Sequence, residues 1–417
     1  MVRNMATELP GPSPAMAPAT APPLAEPMAQ MLSVAQILNA LRIDCADATP
    51  GAAVEEPEPY LVIPGHDGPR WLIPARSRAA ASVLSSWHPY NLSSRLKWLA
   101  VCTAARAGLL RFAGSVASVA VSRREALRWF ERCGIRSRTG EKVILVGNPS
   151  PDRKLVVFLL HDTDSGDTDQ GEARPIAAVL KVGLTEGGGQ SVLREAEALR
   201  RLEPYSWAPR LLSVHPELRA AAQKFVPGAM PDRRFRPEYM EMLCHLPRGG
   251  EGKTLAQVAV EMARRLSPFK ARLEALAPGL LDRAFNCLDG DAFVPTLLVH
   301  GDFAPWNMRR NAQLGYVLVD WEWADFAGLP AYDLLHFQFN DDRLFGEKAG
   351  GYAAIRSRPI CAEYLRRMDL DPELLPRLAL AYLLDQLESH CRQRGGQHIA
   401  YTLRQLEAVA GQSGSIS

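Results

Sequence analysis

Apolar residues in the middle of the chain come in short runs that are separated by turn-forming residues. Runs of this kind, rich in Val, Ile and Leu, are typical of buried β-strands. A longer segment, Ser191–Leu202, has helical spacing instead and carries acidic residues early in the helix. Together these segments predict an antiparallel sheet that is interrupted by one helix. The predicted strands cover residues 143–146, 155–160, 176–182, 209–214 and 220–226.

After residue 228 the apolar positions recur mainly at helical spacing, so the second half of the chain is predicted to be mostly helical. Two short apolar runs, Val294–Val299 and Tyr316–Val319, interrupt this pattern and predict buried strands. Polar side chains lie between these runs and after the second, where a rigid sheet can aim them. The predicted helices cover residues 255–266, 271–287, 347–368, 372–393 and 398–410.

The first part of the chain has a weaker pattern. Residues 1–30 are dominated by Pro and Ala without apolar periodicity, which indicates a disordered tail or tether, or a start codon that lies further downstream. Residues 31–42 predict a short helix. Tyr60–Ile63 and Trp71–Ile73 flank a turn-rich spacer and predict a β-hairpin.

These changes of pattern divide the chain into four predicted segments. A tail (1–30) precedes a basic, partly helical N-terminal extension (31–135). An antiparallel-sheet lobe (136–227) then precedes a mainly helical lobe (228–417). The length of 417 residues and the hydrophobic content of 47% agree with more than one compact unit and an ample core. The predicted fold class is therefore α+β with two lobes.

The predicted extension contains the strongest charge asymmetry of the chain. Residues 68–124 contain no Asp or Glu and nine basic residues. Six apolar residues in this window fall on one face at helical spacing, with basic residues beside them. A basic amphipathic helix can lie on an anionic membrane surface, and the alternative is that its apolar face packs on the rest of the protein. The apolar positions are Trp98, Val101, Ala105, Leu109, Phe112 and Val116.

Cysteine usage and charge restrict the class of protein. The seven cysteines are scattered and form no CxxC pair, which argues against a disulfide framework and a zinc site and favours a reducing compartment. The first residues lack a charged start followed by an apolar core, so we expect a cytoplasmic protein, peripheral to the inner face of the membrane if the basic helix binds lipid. The net charge of +2 identifies no partner, and no nucleic-acid partner is expected.

The most chemically loaded passage is His300–Asn307, with the sequence HGDFAPWN, followed by Asp320 after the next predicted strand. Phosphoryl transfer needs a carboxylate that orients the attacking hydroxyl and accepts its proton, and oxygen ligands for Mg²⁺. Asp302 offers the carboxylate, and Asn307 and Asp320 offer one uncharged and one charged oxygen. The chain contains no G-x-S-x-G sequence, which argues against a serine hydrolase.

These motifs resemble a known family. HGDFAPWN and VLVDWEWADFAGLPAYDLLHF are similar to the catalytic and metal-binding segments of the aminoglycoside phosphotransferase and choline kinase superfamily, whose members are small-molecule kinases with a two-lobed protein-kinase-like fold. The resemblance implies that Asp302 is the catalytic base and that Asn307 and Asp320 ligate Mg²⁺. It also implies that Asp333 supports the catalytic loop from the following helix, and that His300 braces this loop by hydrogen bonding.

The same resemblance gives roles to residues of the predicted sheet. A Lys among apolar strand residues is uncommon unless its charge is used, and Lys181 corresponds to the strand lysine that binds the nucleotide phosphates and pairs with a helix Glu. Glu195 is the expected partner, with Glu197 as the alternative. Phe225 and Val226 are expected to form the hinge that holds adenine through backbone groups. The turn between the first two strands of the predicted sheet lacks the G-x-G-x-x-G sequence of protein kinases.

The sequence therefore predicts transfer of the γ-phosphate of ATP, with Mg²⁺, to a hydroxyl of a small molecule that resembles an aminoglycoside, choline or a sugar. The alternative is a kinase-like nucleotide-binding regulatory or scaffold protein, docked on an anionic membrane or a polysaccharide-assembly complex. Glu322 and His336 are interpreted as structural. The candidates for acceptor selection are Asp325, Glu347, Asp385 and Glu388 for a polycation, and Trp306, Trp321, Trp323 and Tyr332 for a quaternary amine.

Overall fold

The computed structural model describes residues 33–41, 58–65, 68–75, 77–87, 92–112, 116–119, 123–161, 176–345, 351–393 and 396–413. The strands of its first half are β1 (Glu58–Gly65), β2 (Gly68–Pro74), β3 (Val116–Val119), β4 (Lys142–Val146), β5 (Lys154–Leu160), β6 (Ile176–Gly183), β7 (Leu211–His215) and β8 (Ala220–Lys224). They form one antiparallel sheet in the order β3-β1-β2-β4-β5-β6-β8-β7. This is the predicted sheet, extended by three strands from the N-terminal region.

Helices pack on both faces of this sheet. They are α1 (Val34–Ala40), α2 (Ala80–Ser85), α3 (Leu92–Arg106) and α4 (Arg123–Arg132). Neighbouring residues of a strand point to opposite faces. Accordingly, Leu72 packs in the same core as Ile37 of α1, whereas Trp71 packs in a second core with Trp98 of α3. Apolar residues at consecutive strand positions therefore bury both faces of the sheet.

The N-terminal extension is built into the sheet. The predicted hairpin is confirmed as β1 and β2, with Leu61 opposite Ile73. The predicted amphipathic helix is wrong beyond Arg106, where α3 ends, because Val116 begins a strand that pairs with β1. Trp98 and Ala105 of the predicted apolar face are buried in the core that includes the sheet residue Trp71, so this part of the face packs on the rest of the protein. Leu109 and Phe112, later on the same predicted face, are 49% and 72% exposed. The first part of this face therefore packs in the protein, and its contact with a membrane stays a prediction.

The sheet runs across the predicted boundary between the extension and the sheet lobe, because β2 pairs with β4 through Trp71 and Leu145. The division of the chain into four segments stays a prediction, and residues 1–30 lie outside the described part of the chain.

The helix between β6 and β7 begins earlier than predicted. This helix, α5 (Glu186–Arg201), starts after Thr185, whose hydroxyl accepts a hydrogen bond from the Gly188 N–H at 3.0 Å. A Cβ atom at Gly188 would lie 2.0 Å from the carbonyl oxygen of Arg153. Glycine at this position therefore lets the first turn of α5 pack directly on the turn between β4 and β5.

The second half of the described chain is mainly helical, as predicted, and its helices share one large hydrophobic core. They are α6 (Pro237–Cys244), α7 (Leu255–Leu266), α8 (Lys270–Leu276), α9 (Leu280–Leu288), α10 (Tyr332–Phe345), α11 (Gly351–Arg356), α12 (Pro359–Arg367), α13 (Leu374–Arg392) and α14 (Gly396–Ser413). The predicted helix 271–287 is divided in two, because Gly279 adopts a φ of 65° after Pro278. The predicted helix 347–368 is likewise divided, before Pro359, within its described part.

Short strand pairs connect these helices. They are formed by β9 (Lys253–Thr254) with β10 (Phe293–Val294), β11 (Leu297–Val299) with β14 (Asp325–Gly328), and β12 (Met308–Asn311) with β13 (Gly315–Leu318). The predicted strand 294–299 is split at Pro295, which has no N–H to donate. An antiparallel-sheet lobe followed by a helical lobe is the two-lobed kinase-like α+β fold that the sequence predicts. Among the described helices, none combines the length and apolar character needed to cross a bilayer.

Candidate active site

A buried ion pair joins the sheet to its helix. The Nζ of Lys181, on β6, lies 2.7 and 2.6 Å from the two carboxylate oxygens of Glu195 on α5. Burial disfavours the charged ammonium, but the carboxylates of Asp320 and Glu195 outweigh burial and raise the pKa of Lys181. The structure therefore brings together the predicted pair, whereas Glu197, the alternative partner, lies on the exposed side of the helix.

The loop after β11 is held at its start by Asp333, the second residue of α10. Its Oδ2 accepts a hydrogen bond from the His300 N–H at 2.7 Å, and its Oδ1 accepts one from the Gly301 N–H at 3.0 Å. Gly301 has a φ of 82°, and a Cβ atom there would lie 2.3 Å from the Trp323 carbonyl oxygen. The first two residues of the HGD motif are thus fixed by one carboxylate and one close backbone contact.

The His300 side chain ties this loop to the next strand. Its ring is fully buried and lies 4.4 Å, between centroids, from the ring of Trp321. Its Nε2 donates to the Val319 carbonyl oxygen at 3.0 Å, and its Nδ1 accepts from the Asp302 N–H at 3.3 Å. Both ring nitrogens are therefore used within the protein, which is the bracing arrangement expected for His300.

The Asp302 carboxylate is held by an amide and an imidazole. Asn307 donates from Nδ2 to Asp302 Oδ2 at 2.8 Å, and His336 Nε2 lies 2.9 Å from Asp302 Oδ1. Burial alone would raise the pKa of Asp302, but the hydrogen bond and charge of His336 lower this pKa below its ordinary value. Asp302 is therefore ionised near neutral pH and can accept a hydrogen bond from an alcohol.

Asn307 connects Asp302 with the segment that carries Asp320. Its backbone carbonyl accepts from the Val319 N–H at 2.8 Å, directly beside the β12–β13 hairpin. Its Nδ2 also donates to the Asp302 carbonyl oxygen at 2.9 Å. Because the amide nitrogen is committed to Asp302, the amide oxygen is the atom that Asn307 can offer to a cation.

Asp320 lies against two lysines. Its Oδ1 is 2.6 Å from Lys181 Nζ and 3.0 Å from Lys154 Nζ. Burial would raise the pKa of Asp320, but these two ammonium groups outweigh burial and hold the pKa far below its ordinary value. The backbone of Asp320 has a φ of 70°, an uncommon conformation for a residue other than glycine. A second carboxylate, Glu322, lies 2.5 Å from Lys154 Nζ and also accepts a hydrogen bond from Ser191.

The oxygen atoms of Asn307 and Asp320 fit a magnesium site of the kind used in phosphoryl transfer. In such sites Mg²⁺ keeps one or two protein ligands and shares the rest of its coordination with phosphates and water. Within the described residues no group of three or more His, Cys, Asp or Glu could hold a metal. The amide oxygen of Asn307 and the carboxylate of Asp320 are oxygen donors of the kind that Mg²⁺ takes, so these two residues could hold it.

Phe225 and Val226 directly follow β8, where the chain passes from the sheet to the helical lobe. The Phe225 ring packs edge-on to Phe158 of β5, with centroids 6.5 Å apart. Gly228 has a φ of 143°, and a Cβ atom there would lie 2.5 Å from the Arg310 carbonyl oxygen. The segment is thus fixed at the junction expected for a hinge, and its contact with adenine stays a prediction.

A cavity of about 640 Å³ opens beside Asp302. On its wall Arg265 lies 2.8 Å from Asp385 and 2.9 Å from Glu388, so two of the acidic acceptor candidates are already paired. The cavity is lined by Asp325, Asp385, Glu388, Trp306, Trp323 and Tyr332 among the candidates, whereas Trp321 is fully buried and Glu347 lies outside the described residues.

Three residues of this site were not predicted from the sequence. Lys154 falls in the turn before the predicted strand 155–160, and Glu322 and His336 are interpreted there as structural. The structure brings Lys154 and Glu322 to Asp320, and it brings His336 to Asp302. His336 is buried and hydrogen-bonded, as an ordinary core histidine would be, but its partner is the candidate catalytic base. The available signal was its position three residues after Asp333, which places both side chains on one face of α10.

These elements define a two-lobed kinase-like fold with a buried Lys–Glu pair and two nearby aspartates, and several solved structures have similar chains. A protein provisionally described as an aminoglycoside phosphotransferase of Ralstonia eutropha JMP134 is 12% identical, with a TM-score of 0.46 over 70% of this chain and 98% of its own. The apo form of a thermostable mutant of aminoglycoside phosphotransferase APH(4)-Ia is 16% identical, with a TM-score of 0.45 over 69% and 99%. A macrolide 2′-phosphotransferase type I is 13% identical, with a TM-score of 0.43 over 69% and 98%.

No protein-family model and no curated protein matches this chain.

Proposed function

We propose that this protein is a small-molecule kinase that transfers the γ-phosphate of ATP, with Mg²⁺, to an alcohol group. The observation that supports this most strongly is the convergence of three functions in one cleft. Lys181 of the buried Lys–Glu pair contacts Asp320 at 2.6 Å, and Asn307 donates to Asp302 at 2.8 Å. The two contacts are joined through Val319, the residue before Asp320, whose N–H donates to the Asn307 carbonyl oxygen at 2.8 Å. Phosphoryl transfer requires a cation for the phosphates, a metal ligand and a base.

The proposed roles follow from these contacts. When bound, ATP would supply the transferable phosphate, and Mg²⁺ would neutralise part of the negative charge of the phosphates. Lys181, held by Glu195, binds phosphate oxygens, and the oxygens of Asn307 and Asp320 hold the metal. Asp302 orients the acceptor hydroxyl and takes its proton, as the acceptor oxygen bonds to the γ-phosphorus and the bond from this phosphorus to ADP breaks.

Nucleotide binding tests this proposal. The wild-type chain should be stabilised by ATP with Mg²⁺, by about 2.7 kcal/mol at a ligand concentration of 100 times the Kd. Asp320→Asn should lose most of the Mg²⁺-dependent part of this shift, because the metal loses its charged ligand. Asp291→Asn, which changes an exposed aspartate that does not line the cavity, should retain it. Thermal denaturation with ATP, with and without EDTA, measures all three.

Two results would favour other interpretations. Stabilisation by ATP without phosphate transfer to any alcohol would favour a nucleotide-binding regulatory or scaffold protein. The absence of any shift in the wild-type chain would contradict the kinase proposal.

The charge balance of the cavity supports a class of acceptor. A polycationic acceptor needs several carboxylates that have no cationic partner. Of the three acidic candidates that line the cavity, Asp385 and Glu388 face Arg265, Arg392 also pairs with Glu388, and the exposed Asp325 is left for an acceptor. We therefore propose a hydroxylated acceptor with little positive charge, such as a sugar or polyol. An acceptor screen should give higher kcat/KM for neutral polyols than for aminoglycosides at equal Mg²⁺ and ATP, and the opposite order would exclude this class.

We also propose that the outer face of α3 contacts an anionic lipid surface. Leu96 and Leu99 are 62% and 59% exposed, and the exposed Arg95 and Lys97 lie beside them. Cations next to exposed leucines complement the negative charge and the acyl layer of such a membrane. This surface lies opposite the buried face that the sequence pattern predicts to be apolar.

Vesicle sedimentation of the full chain tests this contact. Binding to vesicles that contain phosphatidylglycerol, and not to pure phosphatidylcholine, is expected, and salt should weaken it. Leu96→Gln with Leu99→Gln should abolish binding. Val260→Gln with Leu276→Gln, which changes two exposed apolar residues of the helical lobe (70% and 56% exposed), should not. Equal binding by both double variants would overturn the proposal.

A further inference from the structure

Lys154 is a second lysine at the candidate metal ligand, and no sequence motif identifies it. Its Nζ lies 3.0 Å from Asp320 Oδ1 and 2.5 Å from Glu322 Oε2, and its side chain is only 13% exposed. It is the first residue of β5, directly after the turn that joins β4 to β5. An ammonium group is therefore held inside the cleft by two carboxylates.

The strand register explains why this lysine reaches the same point as Lys181. Val156 on β5 lies opposite Lys181 on β6, and Lys154 lies two residues before Val156. Residues two apart on a strand share a face, and so do directly opposed residues of an antiparallel pair. Lys154 and Lys181 therefore project from the same face of the sheet, and both reach Asp320 Oδ1.

The two lysines differ in their remaining partners. Lys181 also contacts both oxygens of Glu195, which is 2% exposed and belongs to the sheet lobe. Lys154 has Glu322 as its other carboxylate, and this residue follows Asp320 on the helical-lobe side. Loss of the Asp320 contact therefore leaves Lys181 fixed within its own lobe, whereas both carboxylate partners of Lys154 belong to the segment that carries the metal ligand.

Charge balance indicates what Lys154 does when the site is filled. Two ammonium groups face three carboxylates in this cluster, those of Asp320, Glu322 and Glu195. A divalent cation at Asp320 would make the net charge of the cluster positive. It would also be repelled by the two ammonium groups that lie within 3.0 Å of Asp320 Oδ1. A buried ammonium group needs a new anionic partner in that case. The phosphates of a nucleotide are anions that accompany the metal.

We propose that Lys154 is a second phosphate-binding lysine, which leaves Asp320 and contacts phosphate oxygens when a magnesium nucleotide binds. This proposal rests on the proposed function, since it requires a nucleotide in the cleft. In the structure the ammonium groups of Lys154 and Lys181 both contact Oδ1 of Asp320, the proposed metal ligand, and these two contacts hold the carboxylate in place.

Calorimetric titration of the full chain with adenosine, ADP and ATP, each with Mg²⁺, tests the role of Lys154. Lys154→Met should weaken binding of ADP and ATP by about 10- to 100-fold, because a charge-assisted hydrogen bond to phosphate is lost. Adenosine, which carries no phosphate, should bind equally well to the variant and the wild type. Lys154→Arg should retain most of the affinity for ATP. Lys270→Met, which removes a 60%-exposed lysine of the helical lobe, should change none of these affinities.

The outcomes separate this proposal from the proposed function. If the wild-type chain binds ATP, and Lys154→Met weakens ATP and adenosine equally or weakens neither, the phosphate role is overturned while the kinase proposal stands. If the wild-type chain binds no nucleotide, both proposals fail. If Lys154→Met does not fold, Lys154→Gln gives the same comparison of ATP with adenosine in a variant with a polar side chain.

Discussion

Asp302 and Asp320 lie near each other, on either side of Asn307 in the sequence, but their partners differ in charge. Asp320 is contacted by the ammonium groups of Lys154 and Lys181, at 3.0 and 2.6 Å. Asp302 is contacted by the amide of Asn307 and the imidazole of His336, at 2.8 and 2.9 Å. The structure thus separates a carboxylate held by fixed positive charges from one held by groups that are neutral or titratable.

This difference corresponds to two kinds of chemistry. A carboxylate that already neutralises two ammonium groups is a site where one set of cations can replace another. A carboxylate held by an amide and an imidazole keeps a lone pair for an alcohol, and no fixed cation has to leave first. We therefore expect changes on the Asp320 side to affect ligand binding, and changes on the Asp302 side to affect the reaction and the stability of its loop.

The largest expected effect is that of Asp302→Asn on turnover. Loss of the base should lower kcat by about 10²- to 10⁴-fold, while the Mg²⁺-dependent stabilisation by ATP stays close to that of the wild type. Steady-state kinetics and thermal denaturation of the same preparation measure both quantities. A variant that loses ATP binding as fully as Asp320→Asn would show that the two aspartates do not divide these roles.

The next effect concerns the loop that carries Asp302. Asp333→Ala removes the acceptor of two backbone N–H groups, those of His300 and Gly301. We expect a loss of about 1.5–3 kcal/mol in the free energy of unfolding, as for buried hydrogen bonds to a charged group. Urea denaturation of the protein without ligands gives this value.

A matched control for this variant is Asp371→Ala, which also removes an aspartate that accepts a backbone N–H, that of Glu373 at 2.9 Å, but at an exposed position. Its cost should be smaller, because water replaces the lost acceptor. Equal losses in the two variants would argue against a special role of Asp333 in holding the loop.

The smallest expected effect is a dependence of protein stability on pH. It concerns the cavity beside Asp302, which His336 and His390 also line. Burial, with the nearby charges of His398 and Arg343, lowers the pKa of His390 from about 6.5 to about 4. The unfolded chain therefore binds a proton there at a higher pH than the folded chain. The stability due to neutral His390 is complete above about pH 6.5 and is lost as the pH falls towards about 4.

His390→Gln should therefore reduce the fall in urea midpoint between about pH 7 and about pH 5. His245→Gln, which changes an exposed histidine of the same lobe, should leave the slope unchanged. If the urea midpoint of both variants falls with pH as steeply as that of the wild type, the acid sensitivity is due to other groups. Asp320, which contacts two lysines, should contribute little to the change in stability between about pH 7 and about pH 5, because these lysines hold its pKa far below that range.

Local sequence patterns were sufficient for much of the site. The HGDFAPWN segment, Asp320 and Asp333 stand in a motif whose spacing along the chain is itself the signal, and the structure brings these residues together. Lys181 and Glu195 were also accessible, because each stands in a regular element whose period indicates which side chains are buried. The ends of strands and helices were harder to predict where a single residue interrupts the pattern, as Pro295 and Gly279 do.

The sequence by itself determined the order of the strands and the helix between Lys142 and Lys224, the mainly helical character of the second half, and the residues of the predicted phosphotransfer motif. These features depend on residue type and on spacing within one element. Tertiary structure alone decided that Lys154 meets an aspartate 166 residues away, and that His336 meets Asp302. It also decided that the apolar face that carries Trp98 packs on the sheet, which the sequence pattern left open. Such pairings depend on strand register and on how the lobes pack, and neither is encoded in the spacing of any single segment.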